Sequence, residues 1–141
     1  MRKMELKRYG FTLIEFIVII TIIGILAALI VPRVVGRVGG AKHAVAQQKV
    51  AVLENKVVEF QTDCGRFPTV QEGLRALVQA PADVAGKWKG PYVKEKDILD
   101  PWDVEFVYRI PGRKNTDFDL FTLGADHQEG GEDENADIGN W

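Results

Sequence analysis

Serine is absent from all 141 residues, so a serine nucleophile is excluded outright. Cysteine occurs once, as Cys64, which rules out an intramolecular disulfide and leaves a buried thiol or an intermolecular bridge. Beside a helix end, that residue reads as core rather than as a nucleophile. Histidine occurs twice, as His43 near the start of a helix and His127 in an acidic loop, which supports neither a histidine metal site nor a Cys-His pair. No glycine-rich loop follows a strand, and Gly39-Gly40 lies in the wrong context to cradle a phosphate. Nor is there a basic excess: the formal charge is −2, so the electrostatic footprint of nucleic-acid binding is missing. No catalytic constellation remains, and an enzyme is not expected.

What the chain does have is a long apolar run behind a basic leader. Arg2, Lys3, Lys7 and Arg8 against Glu5 give the leader +3, leaving −5 for the side chains that follow. Gly10-Phe11-Thr12-Leu13-Ile14-Glu15 comes next, and from Phe16 to Val31 only Thr21 and Gly24 fall outside the strongly apolar set. The 21 residues from Phe11 to Val31 cover about 31 Å as a helix, the thickness of a bilayer's hydrocarbon core. A cleaved secretory signal fits poorly, because the run is too long and Ala27-Ala28 leads into Leu29-Ile30-Val31 instead of a polar start. An uncleaved signal anchor stays open on hydropathy alone. The leader favours a cytoplasmic N-terminus, although Arg33, Arg37 and Lys42 on the far side weaken the asymmetry. Glu15 is the one ionisable group in the span, one turn in from Phe11, where snorkelling to the interface is the plain alternative to a function.

Pro32 removes a backbone donor and crowds the carbonyl of Ala28, while Gly36, Gly39 and Gly40 each cost about 1 kcal/mol relative to alanine inside a helix. Together they predict a weak joint in a long helix. From Ala41 to Thr62, Ala46, Val50, Leu53, Val57 and Phe60 recur at alternating steps of four and three, one face of an amphipathic helix. The stripe is too short for a coiled coil and is expected to pack on the chain's own sheet. Asp63-Cys64-Gly65 ends the helix, Arg66-Phe67-Pro68 is extended, and Thr69 with Glu72 reads as a capping box for a short helix carrying Leu74, Leu77 and Val78. A loop from Ala82 to Gly90 that packs Trp88, a short strand at Tyr92-Val93 and a turn at Asp100-Pro101-Trp102-Asp103 follow. Strands over Glu105–Ile110 and Phe118–Leu123, joined through Pro111-Gly112, complete the expectation.

The last segment differs in kind. Asp126, Glu129, Glu132, Asp133, Glu134 and Asp137 are six acids within twelve residues, with no lysine or arginine from Ala125 onward. A solvated acidic tail is one reading; Ile138 and Trp141 argue for a segment that folds back. The acidic oxygens, with Gly130 and Gly131 to turn carbonyls inward, suit a hard cation such as calcium, although the D-x-D-x-D-G spacing of an EF-hand is lacking.

The pattern G-F-T-L-I-E ahead of an apolar helix resembles the processing site of type IV pilin-like proteins, in which a prepilin peptidase cuts after the glycine and the helix is kept. Gly65-Arg66-Phe67-Pro68-Thr69, Glu72-Gly73-Leu74, Asp100-Pro101-Trp102, Leu123-Gly124-Ala125-Asp126 and Glu129-Gly130-Gly131 extend the resemblance over nearly the whole chain. It is to the major pseudopilins of type II secretion, the general secretion pathway protein G family. The absence of a C-terminal cysteine pair fits that family better than adhesive pilins.

The resemblance implies an α+β, type IV pilin-like fold, a long N-terminal helix packed on a small antiparallel β-sheet with a C-terminal calcium loop. Its plan is a leader over residues 1–10, a transmembrane and assembly helix over 11–31, the soluble part of that helix over 32–64 and a globular head over 65–141. It implies processing between Gly10 and Phe11 with methylation of the new amine. Assembly would involve Phe11, Glu15 and Pro32, with Glu15 of one subunit holding the amine of its neighbour. It implies a structural subunit of a pseudopilus, anchored in the bacterial inner membrane with its head in the periplasm, driving folded proteins through the outer membrane. The implied partners are copies of itself, minor pseudopilins, the inner-membrane assembly platform, prepilin peptidase and the outer-membrane secretin. It implies a calcium ion held by the side chains of Asp126 and Asp133 and the carbonyls of Leu123, Gln128 and Gly131. The chain departs from the family pattern at Asp103, where glycine is usual after D-P-W, and at His127, where glycine is usual after L-G-A-D. A type IV or competence pilus subunit is the alternative within the same architecture. A membrane-anchored monomer, enzyme or calcium-binding module, is the alternative of another class.

Overall fold

The computed structural model describes residues 10–141, with the backbone alone for residues 31–38. The chain divides between Arg37 and Val38 into two units, and one helix, α1 (Leu13–Cys64), contributes to both. In the first unit α1 begins directly after Thr12, and the 18 residues Leu13–Ile30 are apolar and long enough to cross a bilayer, with none of them buried. The helical backbone runs on through Pro32, Gly36, Gly39 and Gly40, so the expected joint does not end the element. The side chain of Pro32 and the leader over residues 1–9 lie outside the described residues.

In the second unit the apolar stripe does what its period predicts. Ala46, Val50, Leu53, Val57 and Phe60 are all buried, in one cluster with Leu74, Leu77, Ile98, Phe106, Phe118, Leu120 and Ile138. Cys64 is a buried free thiol at the end of α1, and Gly65 follows at φ 80°. The sheet is antiparallel with three strands in the order β1 (Val107–Arg109), β2 (Asp119–Thr122), β3 (Ile138–Gly139). Tyr108 faces Leu120 across β1–β2, and Thr122 faces Ile138 across β2–β3.

Several local expectations change in the fold. The Thr69–Glu72 capping box forms, with Thr69 N donating to Glu72 Oε2 at 2.8 Å and Glu72 N to Thr69 Oγ1 at 3.3 Å. The element it opens, however, is a 3₁₀ turn over Gly73–Leu77 and not an α-helix. Gly73 takes φ 54°, a left-handed step that an α-helix cannot absorb. Tyr92-Val93 is not a strand: both amides are directed at the carbonyl of Leu77, at 2.9 and 3.4 Å, which docks the segment on that turn. A further 3₁₀ turn, Glu95–Ile98, was not expected. β1 is shorter than its apolar pattern because Glu105 pairs with Leu99 and Phe106 N donates to the carbonyl of Ile98 at 3.0 Å, away from the sheet. Trp88 packs as expected and donates Nε1–H to the carbonyl of Ala76 at 2.9 Å.

The turn between β1 and β2 is organised by a buried carboxylate. Asp119 is almost fully buried and accepts backbone N–H bonds from Arg113 at 2.7 Å, Lys114 at 3.1 Å and Asn115 at 2.8 Å. Burial pushes its pKa up, but the three backbone donors and nearby Arg109 outweigh that and hold it below its ordinary value of 3.8. A depressed carboxylate contributes stability that is fully present above its unfolded pKa and is lost as pH falls through its folded pKa. Asp119→Asn should therefore melt well below wild type at neutral pH, by roughly 1.5–3 kcal/mol for hydrogen bonds to a charged group. The gap should narrow as pH falls below about 3.8. Thermal unfolding of both proteins from pH 7 downward checks this, and a gap independent of pH would show that the charge on Asp119 has no part in holding the turn.

Candidate functional site

Two places carry the residues singled out by sequence. The first is the opening turn of α1. Gly10 and Phe11 are exposed, and Phe11 keeps 69% of its surface. Thr12 N donates to Glu15 Oε2 at 3.5 Å, while Glu15 N donates to Thr12 Oγ1 at 3.3 Å. This is a second capping box, loosely closed, and its signal was present as Thr12-x-x-Glu15 but not noticed beside the processing motif. It holds the Glu15 carboxylate at the positive end of the helix dipole, next to the backbone where an amine would arise if Phe11 became the first residue. Pro32 lies roughly five turns further along α1 and is not brought to this cluster.

The second place is the segment after β2. It is not a solvated tail: Ala125 N donates to the carbonyl of Glu134 at 2.9 Å, Asp133–Asn135 forms a 3₁₀ turn, and β3 returns the chain to the sheet. The path needs several left-handed residues, with Gly124 at φ 69°, His127 at 57°, Gly130 at 96°, Gly131 at 90° and Asp133 at 53°. Asp103 also sits at φ 63°. Asp103 and His127, the two residues that stand where the family usually has glycine, therefore keep a glycine-like backbone.

Asp126, Asp133, Gln128 and Gly131 are exposed, and Leu123 is half-buried at the end of β2. Asp126 Oδ1 accepts Gln128 N–H at 3.1 Å. No backbone hydrogen bond outside the regular elements reaches the carbonyls of Leu123, Gln128 or Gly131 among the described residues. The loop is less isolated from positive charge than its sequence suggests, since Arg109 of β1 approaches Glu129 at 3.4 Å. Asp137 was not expected to have a role. Its Oδ2 accepts Gly130 N–H at 3.0 Å, pinning the glycine pair, and its Oδ1 is buried without a partner among the described residues. No group of three or more His, Cys, Asp or Glu able to hold a metal occurs among the described residues. A cation here would depend on backbone carbonyls as well as on carboxylates, a mixture that suits calcium better than zinc.

The remaining motif blocks are structural. Arg66 donates to both oxygens of Glu72, at 2.9 and 2.8 Å, and to Asp83 at 2.8 Å. Arg66 holds the Glu72 carboxyl below its ordinary pKa, and Glu72 and Asp83 raise that of the guanidinium. The clamp ties the turn after α1 to the 3₁₀ turn and to the following loop. Asp100, also buried, accepts the amides of Trp102 and Val104 at 2.9 and 3.0 Å and the hydroxyl of Thr122, which fixes the D-P-W turn against β2.

Residues 33–141 match the family described as "Type II secretion system (T2SS), protein G", and residues 6–31 match the prokaryotic N-terminal methylation motif. The chain is 43% identical to the type II secretion system core protein G of Vibrio cholerae, covering all of this chain and 96% of that one. It is 44% identical to the protein of the same name from Pseudomonas aeruginosa, with 96% of each covered. Among solved structures it is similar to the major pseudopilin of the type 2 secretion system of enterohaemorrhagic Escherichia coli, with a TM-score of 0.60 and 29% identity over 76% of this chain and 92% of that one.

The loop's glycines yield a graded expectation. A Cβ on Gly131 would lie 2.5 Å from the carbonyl oxygen of Asn135, whereas one on Gly130 would meet nothing within 4 Å. Both positions have positive φ, so alanine at either carries the left-handed penalty of about 1–2 kcal/mol. Gly131→Ala should lower the melting temperature clearly more than Gly130→Ala, because only the former must also push backbone aside. Equal melting temperatures would mean that the contact between Gly131 and Asn135 is not maintained in solution.

Proposed function

The chain belongs to the type II secretion system protein G family, and from that membership we propose that it is the major, structural subunit of a pseudopilus that drives export of folded proteins. The observation that carries this reading is a single helix with two surfaces: its first 18 residues are unburied and apolar enough to cross a membrane, with Glu15 the one charged residue among them, while further along one face forms the floor of the head's core. The apolar stretch anchors the protein in the bacterial inner membrane and the head faces the periplasm. From Gly40 to Val58 every exposed residue of α1 is uncharged, with Val45, Val52 and Val58 among them. That outer face is suited to contact with helices of other copies. Prepilin peptidase would cut after Gly10, and Glu15 would then receive the Phe11 amine of a neighbour in a low-dielectric layer. Minor pseudopilins, the inner-membrane assembly platform and the outer-membrane secretin complete the partners of this reading. A pilus subunit of the same architecture is disfavoured by the protein G relatives and the pseudopilin structure.

The test is deletion followed by comparison of the secreted proteins, with complementation by wild type and by Glu15→Ala. Wild type should restore secretion. Glu15→Ala should be processed to a methylated chain starting at Phe11, as read by mass spectrometry, yet fail to assemble or to restore secretion. Surface pili lost on deletion with secretion intact would transfer the protein to the pilus alternative. A mature chain starting elsewhere would remove the pilin-like reading altogether.

We further propose that the last loop binds one calcium ion through the carboxylates of Asp126 and Asp133 and the carbonyls of Leu123, Gln128 and Gly131. The exposed carboxylates, and carbonyls that no backbone hydrogen bond outside the regular elements reaches among the described residues, support that donor set, and five oxygens leave room for water to complete the six to eight that calcium takes. The ion supplies positive charge among six acids. Binding only to the folded protein would stabilise it by about 1.4 kcal/mol at ten times the dissociation constant. The melting temperature should rise with calcium and much less with magnesium, whose strict octahedron this irregular loop suits poorly. Asp126→Ala and Asp133→Ala should each blunt the rise; a full response in both variants would remove this ligand assignment.

A further inference from the structure

Gly39 is buried, seven residues before Ala46 and so on the same face of the helix as the apolar stripe. What covers it is the side chain of Glu134: a Cβ at position 39 would fall inside the Glu134 carboxyl group, against Oε1, Cδ and Cγ. A glycine in mid-helix is unfavourable by about 1 kcal/mol relative to alanine, and here the missing side chain is the seat of a residue 95 positions further along the sequence. Glu134 is the central residue of the 3₁₀ turn Asp133–Asn135. Its carbonyl accepts Ala125 N–H at 2.9 Å, and a Cβ on Gly124 would lie 2.9 Å from that oxygen. The backbone of Glu134 is thus held between the two sides of the last loop, and its side chain reaches out to α1.

From this contact we infer that Glu134 and Gly39 form a latch through which cation binding in the last loop orders the start of the head's helix. The inference rests on the calcium reading above. Asp133, one of the carboxylates assigned to the ion, directly precedes Glu134 and is the one residue of the turn with left-handed φ, at 53°. Fixing the Asp133 side chain on an ion fixes that backbone step, and the step aims Glu134 at Gly39. The seated side chain then opposes opening of α1 over residues 39–46. By reciprocity, whatever factor the ion adds to the seating of Glu134, the seating returns to the affinity for the ion. A position on the helix therefore tunes a site in the last loop without supplying a ligand.

The test uses the full-length chain in detergent micelles, with amide exchange followed for peptides spanning 39–46 and 123–137 in calcium chloride and in chelator. In wild type, calcium should protect both segments. Glu134→Ala should keep protection of 123–137, shifted to roughly fivefold higher calcium, and lose the calcium response of 39–46. Gly39→Ala fills the seat while improving helix propensity, so its 39–46 segment should exchange more slowly than wild type in chelator and show no further slowing with calcium. The double variant should require no more calcium than either single one, because both break the same contact. A calcium response of 39–46 that survives in either single variant, or calcium shifts that multiply in the double variant, would overturn the latch. Calcium protection confined to 123–137 in wild type would overturn the latch and leave the calcium site standing. No protection of either segment would overturn the site itself, and the latch with it.

Discussion

Burial of one face of α1 is the interaction on which the rest of the head depends. The three strands are three, four and two residues long, and sheets of that size are marginal without a surface to pack on. α1 supplies the surface. Val50, Leu53, Val57 and Phe60 are each buried almost completely, and at ~1.5–3 kcal/mol per large apolar side chain they contribute on the order of 10 kcal/mol before chain entropy is counted. That is comparable with the whole net stability of a small domain. These residues lie on the helix whose first 18 residues form the apolar span.

With so little ladder to rely on, the head satisfies its backbone through side chains. Asp119 takes three amides of the β1–β2 turn, Asp100 takes two of the turn before β1, and Asn140 joins three elements. Asn140 Oδ1 accepts Leu120 N–H at 3.0 Å, and its Nδ2 donates to the carbonyl of Phe118 and to Glu54 of α1, both at 3.2 Å. These polar residues do what longer strands would do elsewhere. Buried amides left without partners are costly, so the carboxylates and the amide are as much part of the core as the leucines.

Features set by local period or a fixed spacing were legible in the sequence: the stripe from Ala46 to Phe60, the end of α1 at Cys64, the Thr69–Glu72 box and the motif from Gly10 to Glu15. Features set by a distant partner were not. β3 is two residues long and exists because Thr122 is there to pair with Ile138. The donors to Asp119 come from a turn whose residues show no pattern, and Arg109 reaches Glu129 only after β1 has folded beside β2. Gly73 marked a change of conformation that was read instead as part of a helix. In the last loop the acids were visible, but Asp137 as a brace for Gly130 was not, since seven residues separate them and the intervening path depends on left-handed steps.

Those left-handed steps bear on what a cation in the loop has to do. A left-handed residue with a side chain is unfavourable by about 1–2 kcal/mol, somewhat less for short polar residues that bond locally, and it persists only where its surroundings over-determine it. His127 and Asp133 are enclosed in this way: Ala125 is tied to Glu134, Gly130 to Asp137, and Ile138 to β2. These bonds hold both flanks of the backbone path, and none of them is made by the Asp133 side chain. What those bonds leave uncompensated is charge, because of the loop's acids only Glu129 pairs with a cation among the described residues. Charge neutralisation by a cation would thus act on the same loop as backbone closure, through different groups.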